Sequence, residues 1–306
     1  MKFVATPSRS VAFFRALARR LSPALFGALS LLAVSAAAAR AQGVLVAPPG
    51  VFIDHRARSG SVELYNPGTQ TVEVSISTIF GYPVTDSTGQ VTLFTSDHPD
   101  STQPSAAGWL QAYPRRLTLR PRERQTVRIL GRPPQTLADG EYWSRLVITA
   151  KGATLPVTAS ADSAGISIGL SMEVRTVVAV LYRKGRLNTG VALSDVHTAL
   201  SRGGDSLYVR TRLERQGNAA FIGVLHVALE RPGESGVGAR LAQGSLPLAV
   251  YYDLSPRVAI PVVQVAPGAY TLRVWVDTDR EDVARELILP SKMVRDSATV
   301  VIPPRP

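Results

Sequence analysis

From Gln42 onward the chain alternates. Apolar residues recur at every second position in short runs that stop at Gly, Pro, Asn or Asp, the pattern of half-buried strands bounded by turns. Residues 61–65 alternate and stop at Asn66-Pro67-Gly68, a turn whose proline presets φ and whose glycine tolerates φ > 0. Val72, Val74 and Ile76 alternate with Glu73, Ser75 and Ser77, and residues 117–119 end at Arg120-Pro121. Residues 126–130 resume until Gly131, and 142–149 follow an Asp139-Gly140 turn. About seven short strands over roughly 100 residues describe a β-sandwich.

The longest regular feature comes next. Even positions read Ile166, Ile168, Leu170, Met172, Val174, Thr176, Val178, Val180 and Tyr182. Odd positions begin Ser167, Gly169, Ser171, Glu173, Arg175 and turn apolar only at Val177, Ala179 and Leu181. A period of two held from 166 to 182 predicts one strand far longer than the usual ~5–6 residues. It should be buried on one side early and on both sides late. Two readings stay open: an exposed strand lent to a partner, or a long strand buried between two domains. The preceding block, 150–165, is poor in large apolar residues and reads as an exposed loop.

A second alternating region runs from about residue 187 to the end. Residues 206–213 lead to a Gln216-Gly217-Asn218 turn, 223–230 answer them, and 267–276 and 298–302 supply further strands. Residues 279–289 fit helix or strand. The expected fold is all-β, two immunoglobulin-like β-sandwich domains in tandem. They span 42–183 and 184–306, joined at Arg183-Lys184-Gly185-Arg186.

Residues 1–41 differ from all of this. They hold Lys2, Arg9, Arg15, Arg19, Arg20 and Arg40 without an acid, and an apolar run from Leu21 to Ala39. They end in the small-x-small pattern Ala39-Arg40-Ala41. That is the layout of an export signal with a mature start at Gln42; an N-terminal anchor is the alternative, since the run approaches the ~20 residues a span needs. Removing those six charges takes the formal net charge from +11 to +5, which demands no nucleic acid. The chain has no cysteine, so disulfides, thiolate zinc and iron–sulfur sites are excluded.

Candidate chemistry is thin. Gly165-Ile166-Ser167-Ile168-Gly169 matches the G-x-S-x-G elbow of hydrolases, but alternation runs straight through Ser167 where that motif needs a turn and a helix. No catalytic residue is assigned. His55, His98, His197 and His226 stand far apart in no metal-binding spacing, and neither metal nor cofactor is expected. Arg115, Arg116, Arg120, Arg122, Arg124, Arg128 and Arg132 put seven positive charges in eighteen residues. They read as the solvated face of two strands around a turn at Pro121, with Leu117, Leu119, Val127 and Ile129 inward.

Several of these segments, in order, are similar to the PapD-like periplasmic chaperones that assemble pili in Gram-negative bacteria. The matching residues are Val44-Leu45-Val46-Ala47-Pro48, Ser61-Val62-Glu63-Leu64-Tyr65-Asn66-Pro67-Gly68 and Pro114-Arg115-Arg116-Leu117-Thr118-Leu119-Arg120-Pro121. Gln125-Thr126-Val127-Arg128-Ile129, Gly140-Glu141-Tyr142-Trp143-Ser144-Arg145-Leu146 and the closing Val180-Leu181-Tyr182-Arg183 complete the set. The resemblance covers 44–183; residues 184–306 match only a general immunoglobulin-like pattern.

The resemblance implies a periplasmic, non-enzymatic protein whose partners are pilin-like subunits and, where one is present, an outer-membrane usher. It implies β-augmentation, in which a strand lends alternate side chains to a subunit that lacks one. The residues to be lent are Ile166, Ile168, Leu170, Met172 and Val174. The family holds the subunit's terminal carboxylate with an Arg and a Lys; the aligned positions here are Gly50 and Ala179, so that anchor is absent. Arg175, His55 and Arg56 are the nearby cations that could substitute. A structural or adhesive component of a surface or secretion apparatus is the second reading, since it accounts for the lost basic pair directly.

Overall fold

The computed structural model describes residues 43–152, 155–157, 168–170, 172–231 and 239–304; the expected export segment, 1–41, lies outside them. Twelve strands precede the second sandwich, ten in the first sandwich and β10 and β11 in a ribbon apart: β1 (Leu45–Ala47), β2 (Gly50–Asp54), β3 (Ser59–Tyr65), β4 (Val72–Thr85), β5 (Val91–Ser96), β6 (Leu110–Tyr113), β7 (Arg116–Leu119), β8 (Arg124–Gly131), β9 (Gly140–Lys151), β10 (Leu155–Val157), β11 (Ile168–Leu170) and β12 (Glu173–Lys184). Eight build the second: β13 (Thr189–Leu200), β14 (Ser206–Gly217), β15 (Phe221–Glu230), β16 (Arg240–Val250), β17 (Asp253–Leu254), β18 (Arg257–Pro261), β19 (Gly268–Asp277) and β20 (Val294–Ile302). The chain is all-β, as the alternation predicts. Within 279–289 the only regular element is a 3₁₀ turn at Arg285–Leu287.

In the first sandwich, one sheet runs β1-β3-β8-β6 and the other β2-β12-β9-β4-β5, with β7 also on β4. The opening strand serves both sheets. β1 pairs with β3, and β2 pairs with β12; Pro48-Pro49 lies between them, where missing N–H groups break any ladder. Val62, Leu64, Val72, Val74, Ile76, Val127 and Ile129 fill the space between the sheets, each from alternate positions, because successive side chains leave a strand on opposite faces. The second sandwich stacks a sheet of β13-β14 with β17 and β18 against β16-β15-β19-β20, around Leu213, Leu225, Val227, Leu272 and Val274.

Three expectations need correction. First, the arginine-rich strands are no hairpin: β7 joins β4 in one sheet and β8 joins β3 in the other. Residues 120–123 cross between sheets, so the seven arginines are divided, although all of them are exposed as expected. Second, the turn at Asn66-Pro67-Gly68 needs no positive φ at Gly68, which is not among the left-handed residues. Asn66, fully buried, holds it: Oδ1 accepts from the Gly68 N–H at 2.9 Å, and Nδ2 donates to the carbonyls of Gln70, Leu119 and Arg120. A buried amide with its bonds made is stable where an orphaned one costs ~1–3 kcal/mol. Third, residues 150–165 are not wholly loop, since β9 runs to Lys151 and β10 follows.

Gln42–Pro306 forms one compact unit, and the two sandwiches meet over an apolar patch. Phe80, Trp143 and Leu181 from the first pack against Ala220, Ile222 and Tyr251 from the second. Trp143 sits edge-on to Tyr251 and Tyr252, with centroids 4.7 and 5.2 Å away. A polar strap lies beside the patch. The β4–β5 turn reaches the second sandwich, where Ser255 N–H donates to Thr85 Oγ1 (2.9 Å) and Arg257 N–H to the Gly89 carbonyl (2.8 Å). Gly89 is required there: its φ is +82°, and a Cβ would lie 2.7 Å from the Arg257 Cβ.

Candidate functional site

The expected strand from 166 to 182 is two strands. β12 pairs with β9 along its full length, from Glu173↔Lys151 to Lys184↔Gly140. β11 pairs with β10 instead, in a separate two-stranded ribbon with Leu170 opposite Leu155. Between the pairs Glu173↔Lys151 and Leu170↔Leu155 one side of the chain has three intervening positions and the other two. The ladder cannot cross that mismatch in register, because a one-residue offset exchanges the two faces. Met172 belongs to no strand.

Of the five residues expected to be lent, Ile166 lies outside the described residues. Ile168 and Leu170 lie on β11, and their side chains are outside the description. Met172 is 49% exposed. Val174 opens β12 half-buried, with its Cγ1 3.7 Å from where a Cβ on Gly43 would stand.

β12 itself divides into two halves. In the inner half Val180 and Tyr182 point into the sandwich core, and Leu181 points oppositely into the junction patch. This inner half is buried on both faces, as the apolar odd positions predict, but the burial begins at Ala179 rather than at Val177. It is also bonded on both edges, because β2 runs parallel beside it from Ala179↔Gly50 to Arg183↔Asp54. Over Glu173–Val178 β2 is gone, and no described strand pairs with that edge. Val177 is 42% exposed there. On the same stretch Glu173 is paired with Arg175 at 2.9 Å and Lys151 at 3.4 Å; the Arg175 hydrogen bond, first, holds its carboxyl below the usual range.

Gly50 and Ala179 stand directly opposite one another in the parallel ladder. Two positions 129 apart in sequence are thereby brought to one place, both uncharged. They line a cleft of about 200 Å³ between the sandwiches, with Leu181, Tyr251, Arg145 and Arg280. None of the three proposed substitutes lines it. Arg175 is held by Glu173, His55 Nδ1 meets the Tyr182 hydroxyl at 2.7 Å, and Arg56 is exposed.

The charges that do reach the cleft escaped sequence reasoning. Arg280 is neutralised by a bidentate pair with Asp282 at 2.6 and 2.5 Å, which holds the Asp282 carboxyl below its ordinary value. Arg145, 5% exposed, donates from Nε to the Gly81 carbonyl at 3.0 Å and lies 4.9 Å over the Tyr251 ring. Burial raises the Tyr251 hydroxyl's pKa, with Arg145 pulling it down. Beside them Glu141, its side chain fully buried, accepts from Arg183 Nε (2.8 Å), Trp143 Nε1 (3.1 Å) and the Ala220 N–H (3.0 Å). Arg183 continues to the Leu287 carbonyl at 2.6 Å and lies over Phe52. One carboxylate therefore ties β9, β12 and the second sandwich together. Charged residues inside an alternating strand read as its solvent face, and only the second sandwich's arrival buries them.

Elsewhere the chemistry stays thin. Of the G-x-S-x-G stretch only Ile168 and Gly169 are described, both in a strand. Among the described residues no three of His, Cys, Asp or Glu converge as a metal site, and no helix is long and apolar enough to cross a membrane.

No protein-family model matches the chain, and no curated protein matches it either. Solved structures of fimbrial chaperones do resemble it. The class 5 fimbriae chaperone CfaA is 11% identical, covering 86% of this chain and 100% of that one at a TM-score of 0.39. The Salmonella enterica SafA pilin in complex with the SafB chaperone is 10% identical over 84% and 96%, at 0.39. The Pseudomonas aeruginosa CupB2 chaperone is 12% identical over 83% and 98%, at 0.36.

Proposed function

We propose that this chain is an exported, periplasmic chaperone-like protein that holds pilus or fimbrial subunits by β-strand donation. The observation that carries the reading is the one-sided pairing of β12. Its inner half is locked into the frame, while no described strand pairs with one edge of its outer half, Glu173–Val178. An incoming strand finds unpaired N–H and C=O groups there, already held straight by β9, so little entropy is lost in ordering them. Continuing outward, Met172, Leu170, Ile168 and Ile166 extend the alternating series that would fill a subunit's groove. In this reading residues 1–41 direct export, 42–183 form the holding domain and 184–306 the second domain. Gly50 and Ala179 offer no cation to a subunit's carboxylate, so affinity rests on the ladder and apolar side chains.

The uncharged pair favours a second reading, a structural or adhesive component that holds no subunit. A pull-down of pilin-like subunits from periplasmic extract separates the two, comparing wild type with Ile168→Asp/Leu170→Asp and with Met172→Asp. Donation requires subunits on the wild type and their loss from variants whose thermal melts are unchanged. Equal recovery on a folded variant would sink it and leave the structural reading.

A further inference from the structure

The opposite end of the same sheet is unguarded. β5 pairs with β4 alone, from Thr85↔Val91 to Phe80↔Ser96, and no described strand covers its other side. The turn fixes its hydrogen-bonding phase. The Asp86 N–H donates to the Gln90 carbonyl at 3.0 Å, and bonded pairs alternate from there, so Thr92, Phe94 and Ser96 bond to β4. Pro83, with no N–H, falls opposite Leu93 in a non-bonded pair, consistent with that phase. Val91, Leu93 and Thr95 therefore aim their N–H and C=O groups outward. Leu93 is 42% and Phe94 41% exposed.

Five other edge strands each carry a device that blocks pairing. β1 is three residues long and runs into Pro48; β7 begins at Arg116; β16 contains Pro247; β20 contains Arg295 and Asp296. β13 breaks register between Ser194 and His197. β5 reads Val-Thr-Leu-Phe-Thr-Ser, without a charge, a proline or a bulge.

We propose that β5 is a self-association edge, joining two copies of this chain antiparallel about a two-fold axis at Leu93. Outward groups must meet outward groups, which selects the register Leu93↔Leu93, Thr92↔Phe94 and Val91↔Thr95. A shift of one residue would set outward groups against inward ones. Val91 to Thr95 carry no charge and Gln90 would face Ser96, so no like charges oppose along the ladder. The contact is isologous and closes as a dimer. Because the sheet order is β2-β12-β9-β4-β5, joining at β5 leaves the free edge of β12 open in both copies. A single strand pair is smaller than a standard interface, so dissociation in the range of about 10–100 µM is expected.

Sedimentation equilibrium of the full expressed chain, from about 1 to 200 µM to bracket that range, tests it. Wild type should approach twice its monomer mass. Leu93→Lys and Leu93→Glu each place like charges across the axis at an exposed position, and should weaken association about ten-fold or more with unchanged thermal melts. Their equimolar mixture should regain it. Thr95→Pro, which deletes an outward donor and leaves the bonds to β4, should show the same loss. A wild type monomeric throughout, a dimer that survives these substitutions, or a mixture that fails to pair would each overturn the proposal. Subunit recovery by the Leu93 variants is expected to match wild type, so this test fails or succeeds independently of strand donation.

Discussion

The two ends of β12 carry the same alternating pattern and live in different surroundings. At the inner end Leu181 is buried in the junction, Arg183 is tied to a buried carboxylate, and both edges are bonded. At the outer end Val177 is exposed and no described strand pairs with one edge. Period two tells which residues share a face. It is silent on what covers that face or completes the ladder, and those decide whether a strand is frame or binding surface. The two halves differ here because β2 stops pairing at Ala179 and the second sandwich packs only on the inner half.

The largest expected effect is at Glu141. Replacing it with Ala removes the acceptor shared by Arg183, Trp143 and Ala220 and leaves a largely buried guanidinium without its carboxylate. Breaking such a pair costs about 3–5 kcal/mol, read as a fall in the urea midpoint. Glu141→Gln keeps an acceptor and should recover part of it. A loss under ~1 kcal/mol for Glu141→Ala would mean that the inner end is held by its apolar contacts alone.

Leu181→Ala against Val177→Ala compares the two ends directly. The first empties space beneath the junction and should cost about 2–5 kcal/mol. The second trims an exposed residue and should stay within ~0.5 kcal/mol. Equal losses would show that the outer end is as buried as the inner one, and strand donation would lose its physical basis.

Much of this contrast could be read beforehand. The turn to apolar residues announced burial on both faces, which holds at Ala179 and Leu181 but not at Val177, and Val72, Val74 and Ile76 announced their strand. The break at 171–172 could not be read, because it depends on how many residues stand opposite on the partner strand. The split of the arginine segment was hidden likewise: a four-residue connection fits a hairpin or a crossing between sheets, and β4's offer of a free edge to β7 decides it. Glu141 and Arg145 looked like solvent-facing charges, since their burial is supplied by Tyr251 and Ala220, distant in sequence. Asn66, in contrast, sat in a legible turn, and its three carbonyl partners were the illegible part.

The smallest effect concerns the strap at the inner end. The Asp86 carboxylate accepts from the Thr88 hydroxyl and from the Gln90 and Thr88 N–H groups, shaping the turn whose Ser87 and Gly89 carbonyls receive Arg210 and the Arg257 N–H. The Thr88 hydroxyl bond, then that from Gln90, holds its pKa below the ordinary value. A carboxylate lowered in the folded state binds its proton more readily when unfolded. Its contribution is therefore complete above the unfolded value of ~3.9 and disappears as pH falls through the lower folded one. Asp86→Asn keeps a neutral acceptor and deletes that dependence. The gap in melting temperature between wild type and variant should be constant from pH 7 to pH 5 and close below about pH 4. The group is fully exposed, so the gap is small and should shrink further in high salt. A gap that stays constant through pH 3 would mean that the turn keeps its shape without the charge, leaving the junction's apolar patch and the Glu141 pair to hold the inner end.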